Sequence, residues 1–370
     1  MRVTIDAIPL LLRSAGVKNY LYHWTRHLLQ ERGGSDVRLF PFLHAPGLLD
    51  HEASAAGVFT TFTRLGLLYL LNHFEIEMPL GMGKTGDVFH TCKLLNPPRR
   101  ARLTATLHDL TCWILPETHS PANVAADRTF ADRILSKADG IIAVSEATRD
   151  DAVRLLNLPP EKMCVIHHGI AEPFFQVNKQ DAELVRSRLG LARPYVLFVG
   201  TIEPRKNIDS LLNAYEALPA SLREEFDLVL AGPSGWAPAE TMARLQNTVE
   251  GIRYLGYVPE DQLPGLFAGA TIFVYPSLYE GFGFPVAQAM AAGTAVITSG
   301  VSALPEIAGG AALLVDPRSQ DELRSALSDA LTSPSRRAEL VAAGRANARR
   351  FSWTECARRS LRFFRDVAGR

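Results

Sequence analysis

The sequence predicts an α/β protein built of two doubly wound domains that face each other across a deep cleft. Three observations carry this. Short, wholly apolar runs recur along the chain, as strands buried on both faces of a parallel sheet require. Between them lie segments with helical spacing, such as Leu211, Leu212, Tyr215 and Leu218, and strands alternating with helices build parallel sheets. The length, 370 residues, fits two domains. Open α/β sheets bind ligands outside the carboxyl ends of their strands, so two facing sheets would hold a ligand between them. Fold alone does not give function.

In the N-terminal half, strands are expected at Arg2–Ile8, Val37–Phe42, Asp87–His90, Leu103–Leu107, Gly140–Val144 and Met163–His167. A helix is expected over Val17–Glu31, with Tyr20, Leu21, Trp24 and Leu28 on one stripe. Another opens after Ser145, a good N-cap. Residues 170–192 lack a strong pattern and are punctuated by Pro173 and Pro194, so the interdomain linker is placed there. The C-terminal half has strands at Tyr195–Val199, Leu228–Ala231, Ile252–Leu255, Thr271–Tyr275, Ala295–Thr298 and Ala312–Val315. Thr354–Val367 is helical. The domains are then 1–175 and 176–353, with the terminal helix, 354–370, packing back on the first. The arginines of that helix (Arg358, Arg359, Arg362, Arg365) read as a solvated face, or as a basic face near a membrane.

Composition excludes several classes. Lys+Arg and Asp+Glu are both 39, so the formal charge is zero, and a partner held by phosphate neutralisation, nucleic acid above all, is not expected. Cys92, Cys112, Cys164 and Cys356 are far apart and read as reduced core thiols, neither a zinc site nor a disulfide framework. Asp6 interrupts the first apolar run, so a signal peptide is not expected, and a cytoplasmic protein fits. Residues 262–279 and 281–305 carry no charge, but proline and glycine break both, so they read as buried core, not bilayer.

Four segments carry candidate chemistry. In Tyr275–Ala291, Y-P-S-L-Y-E-G-F-G-F-P-V-A-Q-A-M-A, a strand ends and a loop holds Glu280. Gly281 and Gly283 allow close backbone approach, and a helix starts near Phe284. Such a helix start offers free amides to an anion; the bland alternative is a plain tight turn. In Gly200–Asn207, G-T-I-E-P-R-K-N, Arg205 and Lys206 stand at a strand's carboxyl edge and a helix start, where cations are disfavoured unless an anion offsets the cost. A fork and a point charge together suit a diphosphate. In T-A-T-L-H-D-L, His108 follows a strand of the other domain and is either a donor to a sugar or phosphate oxygen or a structural histidine. Gly16, in R-S-A-G-V, opens the first helix and is weak alone. No Asp-x-Asp, P-loop, Gly-x-Ser-x-Gly or His-Glu-x-x-His occurs.

With these residues in view, the chain resembles the retaining nucleotide-sugar glycosyltransferases of family 4 (group 1), which have the GT-B fold of two Rossmann-like domains. The motifs G-T-I-E-P-R-K-N, L-A-G-P-S-G-W, Y-P-S-L-Y-E-G-F-G-F-P and L-P-E-I-A-G-G-A-A-L-L-V-D-P carry the likeness. It is strong over 195–317, fair over 100–170 and weak over 44–85. The resemblance implies an N-terminal acceptor domain and a C-terminal donor domain. Arg205 and Lys206, in the loop after Gly200, would hold the donor diphosphate. Glu280 would meet the sugar hydroxyls, helped by backbone amides from Gly281 through Phe284. The Gly16 loop would approach phosphate or acceptor, and His108 the sugar. The base would lie against Gly256, Tyr257 and Val258. Where the family has a second glutamate for the ribose, this chain has Gln288, a neutral acceptor. Glu306 is a further acidic candidate with a structural reading.

The resemblance thus implies a metal-independent hexosyltransferase without cofactor, transferring from a nucleotide sugar to a glycan or lipid-linked acceptor of cell-surface polysaccharide. GDP-mannose is the first expected donor, with UDP-sugars and dTDP-rhamnose as alternatives. A nucleotide-sugar epimerase and a non-catalytic binding protein are the rivals from other classes. Phe62–Phe74, F-T-R-L-G-L-L-Y-L-L-N-H-F, reads as a helix packed in the core or as a peripheral membrane face toward a lipid-linked acceptor. Oligomeric state is left open.

Overall fold

The computed structural model describes residues 1–12, 16–41, 47, 49–50, 53–73, 87–92, 97, 100–247 and 250–369, with only the backbone of 71–73. It divides into two compact units, Met1–Gly169 with Ser352–Arg370, and Ile170–Phe351. Each is built on one parallel six-stranded sheet.

In the first unit the strands are β1 (Arg2–Asp6), β2 (Asp36–Phe40), β3 (Asp87–Thr91), β4 (Arg102–Leu107), β5 (Gly140–Ala143) and β6 (Met163–Val165). Their order is β2-β1-β3-β4-β5-β6. The first strand stops at Asp6, short of the expected Ile8, because Ile8–Leu11 forms a 3-10 turn with Pro9 in its first positions. Asp6 ties the two strand ends together: its carboxylate accepts from the Ile8 amide at 3.1 Å, the Cys92 amide at 3.1 Å and the Thr91 hydroxyl at 3.2 Å. Phe42, the expected end of β2, lies outside the described residues.

The helix Gly16–Glu31 follows β1 and buries Tyr20, Leu21, Trp24 and Leu28. The terminal helix, Trp353–Ala368, belongs to this unit. Trp24 Nε1 donates to Ser360 Oγ at 3.0 Å. A Cβ at Gly140 would stand 2.7 Å from Phe363 Cζ, so glycine lets this helix lie directly on the start of β5. Its arginines are exposed, with Arg358 donating to Glu31 at 2.8 Å.

In the second unit the strands are β7 (Tyr195–Val199), β8 (Asp227–Ala231), β9 (Ile252–Tyr254), β10 (Ile272–Tyr275), β11 (Ala295–Ser299) and β12 (Leu313–Val315). Their order is β12-β11-β10-β7-β8-β9. All of β7, β8, β10 and β11 is buried, which explains their largely apolar character, with Asp227, Thr298 and Ser299 the polar residues at strand ends. The strand order reverses between β7 and β10, so the loops leaving those strands emerge side by side at the switch point.

One expectation is corrected. Residues 170–192 are no linker: Glu172–Gln176 and Lys179–Arg188 are helices of the second unit, which begins at Ile170, ahead of the expected 175/176 boundary. Pro173 sits in a first turn, where proline is tolerated, and Asn178 with Asp181 forms a capping box. Phe174 is buried and edge-stacks on Phe267 at 5.8 Å. The stretch 62–74, open to core packing or to a peripheral membrane face, lies on the helix Val58–His73, with Phe74 outside the described residues. Leu68 and Leu65 pack with Ile8, Phe40 and Phe89, but Phe59 and Phe62 are 82% and 72% exposed, and Leu67, Tyr69 and Leu70 are exposed too.

Among the described residues none of the four cysteines is in a disulfide. Among the described residues no helix is long and apolar enough to cross a membrane.

Candidate active site

Two loops at the switch point make the site. After β7, Pro204–Lys206 forms a 3-10 turn that Asn207 ends at φ 59°, and the helix Ile208–Glu216 follows. Asparagine tolerates that left-handed conformation, and its Nδ2 donates to the Pro276 carbonyl at 3.1 Å and to the Pro317 carbonyl at 2.7 Å. The Leu278 amide donates to the Arg205 carbonyl at 2.8 Å, locking the second loop to the first.

The side chains converge on Glu280. Its Oε1 lies 2.6 Å from Lys206 Nζ, 2.8 Å from Arg205 and accepts from Ser277 Oγ at 2.7 Å. Among the described residues nothing donates to Oε2, which leaves that oxygen to accept from a ligand. Lys206 Nζ also donates to the Tyr275 hydroxyl at 2.5 Å. Arg205 reaches Glu203 at 2.8 Å and donates to the Tyr279 carbonyl at 2.9 Å. The Glu280 amide donates to Ser302 Oγ at 2.9 Å, and Ser302 holds φ 54°, strained for a non-glycine residue. Two cations and two carboxylates, all largely buried, therefore share one small volume.

The neighbouring candidates sit around this cluster in sequence. Gly283 caps the helix Phe284–Ala292 at φ 93°, with no acidic residue in the first turn. The Phe282 ring is buried against Phe284 and Phe351, so its side chain packs and only its backbone remains for a ligand. Gln288 is buried in the same helix. Gly200 follows β7, its amide bonded to the Ala231 carbonyl at 2.9 Å. Gly256 turns at φ 67° after β9, with Tyr257 partly exposed and Val258 buried. Glu306 lies in the first turn of Leu304–Ala308, whose carbonyls accept from Arg350.

His108 and Gly16 belong to the first unit. His108 is half-buried just after β4, edge-on to Tyr20 at 5.0 Å. Gly16 opens its helix, and among the described residues a Cβ there would meet nothing within 4 Å. Arg13, Ser14 and Ala15 before it lie outside the described residues.

O-antigen chain mannosyltransferase B of Escherichia coli is 35% identical to this chain, over 99% of the chain and 100% of that protein. Residues 180–347 match the family Glycosyl transferases group 1, and residues 14–172 match Glycosyltransferase Family 4. The chain is a glycosyltransferase of this family. Solved structures agree on the fold. Sucrose-phosphate synthase from Thermosynechococcus elongatus superposes with a TM-score of 0.75 at 22% identity, over 99% of both chains. Anabaena HepE in complex with UDP and glucose gives 0.71 at 19% identity, over 98% of both. These are GT-B structures, the fold expected from the motifs.

The electrostatics of the glycosyltransferase's cluster follow from its burial. Burial pushes the Glu280 carboxyl up, but Arg205 and Lys206 outweigh it and hold the group at about 2. Burial, then the neighbouring Arg205, pulls the Lys206 ammonium below its ordinary value against the pull of Glu280 and Glu203. These shifts oppose each other across one pair. The carboxylate's is the one that fixes its state: with two cations within 2.8 Å, Glu280 is ionised. Burial likewise keeps the Tyr275 phenol protonated.

Sequence reasoning singled out Arg205, Lys206 and Glu280, which the structure brings together, but not what holds them. Glu203 stood inside the quoted G-T-I-E-P-R-K-N motif, and its adjacency to two cations was the available signal. Asn207, in the same motif, signals the left-handed turn. Nothing local to Ser302 points to Glu280, from which it is distant in sequence.

Proposed function

We propose that this glycosyltransferase moves a mannosyl residue from GDP-mannose to a hydroxyl of a glycan or lipid-linked glycan in cell-surface polysaccharide assembly, retaining the anomeric configuration. The observation that carries the reading is the Arg205–Lys206–Glu280 cluster at the switch point. The full-length likeness to an O-antigen mannosyltransferase supports the sugar and the pathway class.

In the reaction the bond between the anomeric carbon and the β-phosphate oxygen breaks and a bond to the acceptor oxygen forms. The acceptor proton passes to an oxygen of the leaving phosphate, so no protein base is required. Negative charge grows on the departing diphosphate, and preorganised cations aimed at such charge supply much of the catalysis. Arg205 and Lys206 meet it, and the anion in turn offsets the cost of keeping Lys206 buried. Two protein cations in this role leave no task for a metal. Glu280, anchored through Oε1, offers Oε2 to a sugar hydroxyl. Gly256, Tyr257 and Val258 take the base and Gln288 the ribose. His108 and Gly16 are assigned to the sugar and to phosphate or acceptor on the family pattern alone.

The acceptor reading rests on the exposed apolar face of Val58–His73. A lipid-linked acceptor lies at a membrane surface, and such a face suits peripheral contact there.

The test is thermal unfolding with GDP, UDP, dTDP and ADP and their sugars, followed by transfer assays with and without EDTA. A ligand bound only by the folded state at 100 times its Kd adds about 2.7 kcal/mol. Stabilisation by GDP and EDTA-resistant mannosyl transfer are the expected results. Stabilisation by UDP alone favours the second reading, a UDP-sugar donor, for which the UDP-bound structure of HepE is the precedent. No shift with any nucleotide overturns the assignment.

A further inference from the structure

Glu203 is buried and takes no part in the reaction described above. Its Oε1 stands 2.8 Å from Arg205 and 4.0 Å from Lys206. No donor reaches that oxygen in hydrogen-bond geometry, so charge alone compensates it. A carboxylate is costly to bury unless paired, and beside two cations meant for an anion it also opposes the ligand. Its charged neighbours are Arg205 and Lys206 themselves, so what it can change is their placement.

A guanidinium is a planar fork, and its use against a phosphate depends on where its plane lies. Arg205 turns one terminal nitrogen to Glu203, and the other to Glu280 and the Tyr279 carbonyl. Glu280 and Tyr279 sit on the loop after β10. From the loop after β7 it is Glu203 that meets the guanidinium, and the Lys206 amide bonded to the Glu203 carbonyl at 3.0 Å fixes that turn.

We propose that Glu203 is a positioning residue for the transfer: it fixes the plane of Arg205 in which the guanidinium meets the outer phosphate of a nucleoside diphosphate. The proposal rests on the assignment of Arg205 to that diphosphate, and the experiment separates the two.

The experiment measures Kd by calorimetric titration of GDP and GMP (UDP and UMP for a uridine-binding wild type) with wild type, Glu203→Gln, Arg205→Ala and the double variant. Thermal unfolding without nucleotide runs alongside. Wild type is expected to prefer the diphosphate. Glu203→Gln should lose about tenfold of that preference, as expected for one misplaced charge-assisted bond. The double variant should equal Arg205→Ala. Lowered stability with an unchanged diphosphate preference makes Glu203 merely structural and overturns the proposal. Diphosphate binding as tight as wild type or tighter makes it only an opposing charge, with the same result. An Arg205→Ala variant that keeps the wild-type preference, or a wild type that binds no nucleotide, overturns the assignment beneath it.

Discussion

Lys206 Nζ and Glu280 Oε1 stand 2.6 Å apart with both groups buried, and they come from loops on neighbouring parallel strands. Removing one member of a buried pair strands the other, which costs about 3–5 kcal/mol. Lys206→Ala is therefore expected to lower stability in urea unfolding. It should also cut turnover on the order of 100-fold, the loss seen when one donor to a developing charge is removed. Near-normal turnover at a temperature where the variant is folded would refute the role.

Acid should destabilise the first unit through its histidines. Burial pushes His90 down to about 3, with His108 adding to it, and pushes His168 well below its ordinary value. His90 is enclosed by Thr104, Thr106, Trp24 and Phe364. The unfolded chain takes up these protons near 6.5 and the folded chain only far lower. The stability held by neutral imidazoles is therefore complete above about pH 6.5 and is lost as pH falls toward 3. The slope is at most about 1.4 kcal/mol per pH unit for each group. Glu280 does not add to this above pH 5, because its own loss runs from about 4.5 down to about 2. Thermal unfolding should give a lower Tm at pH 5 than at pH 7.5, and His90→Gln should narrow the difference. An equal Tm at both values would show that these imidazoles do not govern the response.

The helix Val58–His73 gives opposite expectations for residues a few positions apart. Leu68 is buried with Ile8, Phe40 and Phe89, so Leu68→Ala should cost about 2–5 kcal/mol. Phe59 and Phe62 face away from that cluster, so Phe59→Ser with Phe62→Ser should change stability by about 0.5 kcal/mol or less. The pair should instead lose flotation with vesicles of anionic phospholipid. Wild-type protein that does not float removes the membrane reading.

The strands were legible because burial on both faces of a parallel sheet writes itself as an apolar run. Tyr195–Val199 is one such run, and every residue of it is buried. What escaped was short or non-local. Glu172–Gln176 and Lys179–Arg188 are too brief for periodicity to stand out, and Pro173 reads as a breaker although it starts a helix. Val58–His73 is apolar on more than one side, so its pattern names no buried face. At the site, motif chemistry revealed Arg205, Lys206 and Glu280. Their mutual contacts depend on β7 lying beside β10, a neighbour relation that strand order sets and sequence adjacency does not.

Gly283 and Gly16 both open helices, but for different reasons, and alanine should tell them apart. Gly283 has φ 93°, and a Cβ there would stand 2.7 Å from Leu304 Cδ2. Gly283→Ala is thus expected to cost about 1–3 kcal/mol, since a left-handed, crowded position does not suit a side chain. A Cβ at Gly16 meets no described residue within 4 Å, and Gly16 has no left-handed φ, so no described contact demands glycine there. Gly16→Ala should leave urea unfolding within about 0.5 kcal/mol of wild type. If the space above Gly16 is kept for the donor or acceptor, the same methyl should raise KM or lower turnover in an otherwise intact protein. An unchanged KM and turnover in Gly16→Ala would remove Gly16 from the ligand-binding residues, while a stability loss in Gly283→Ala would stand regardless.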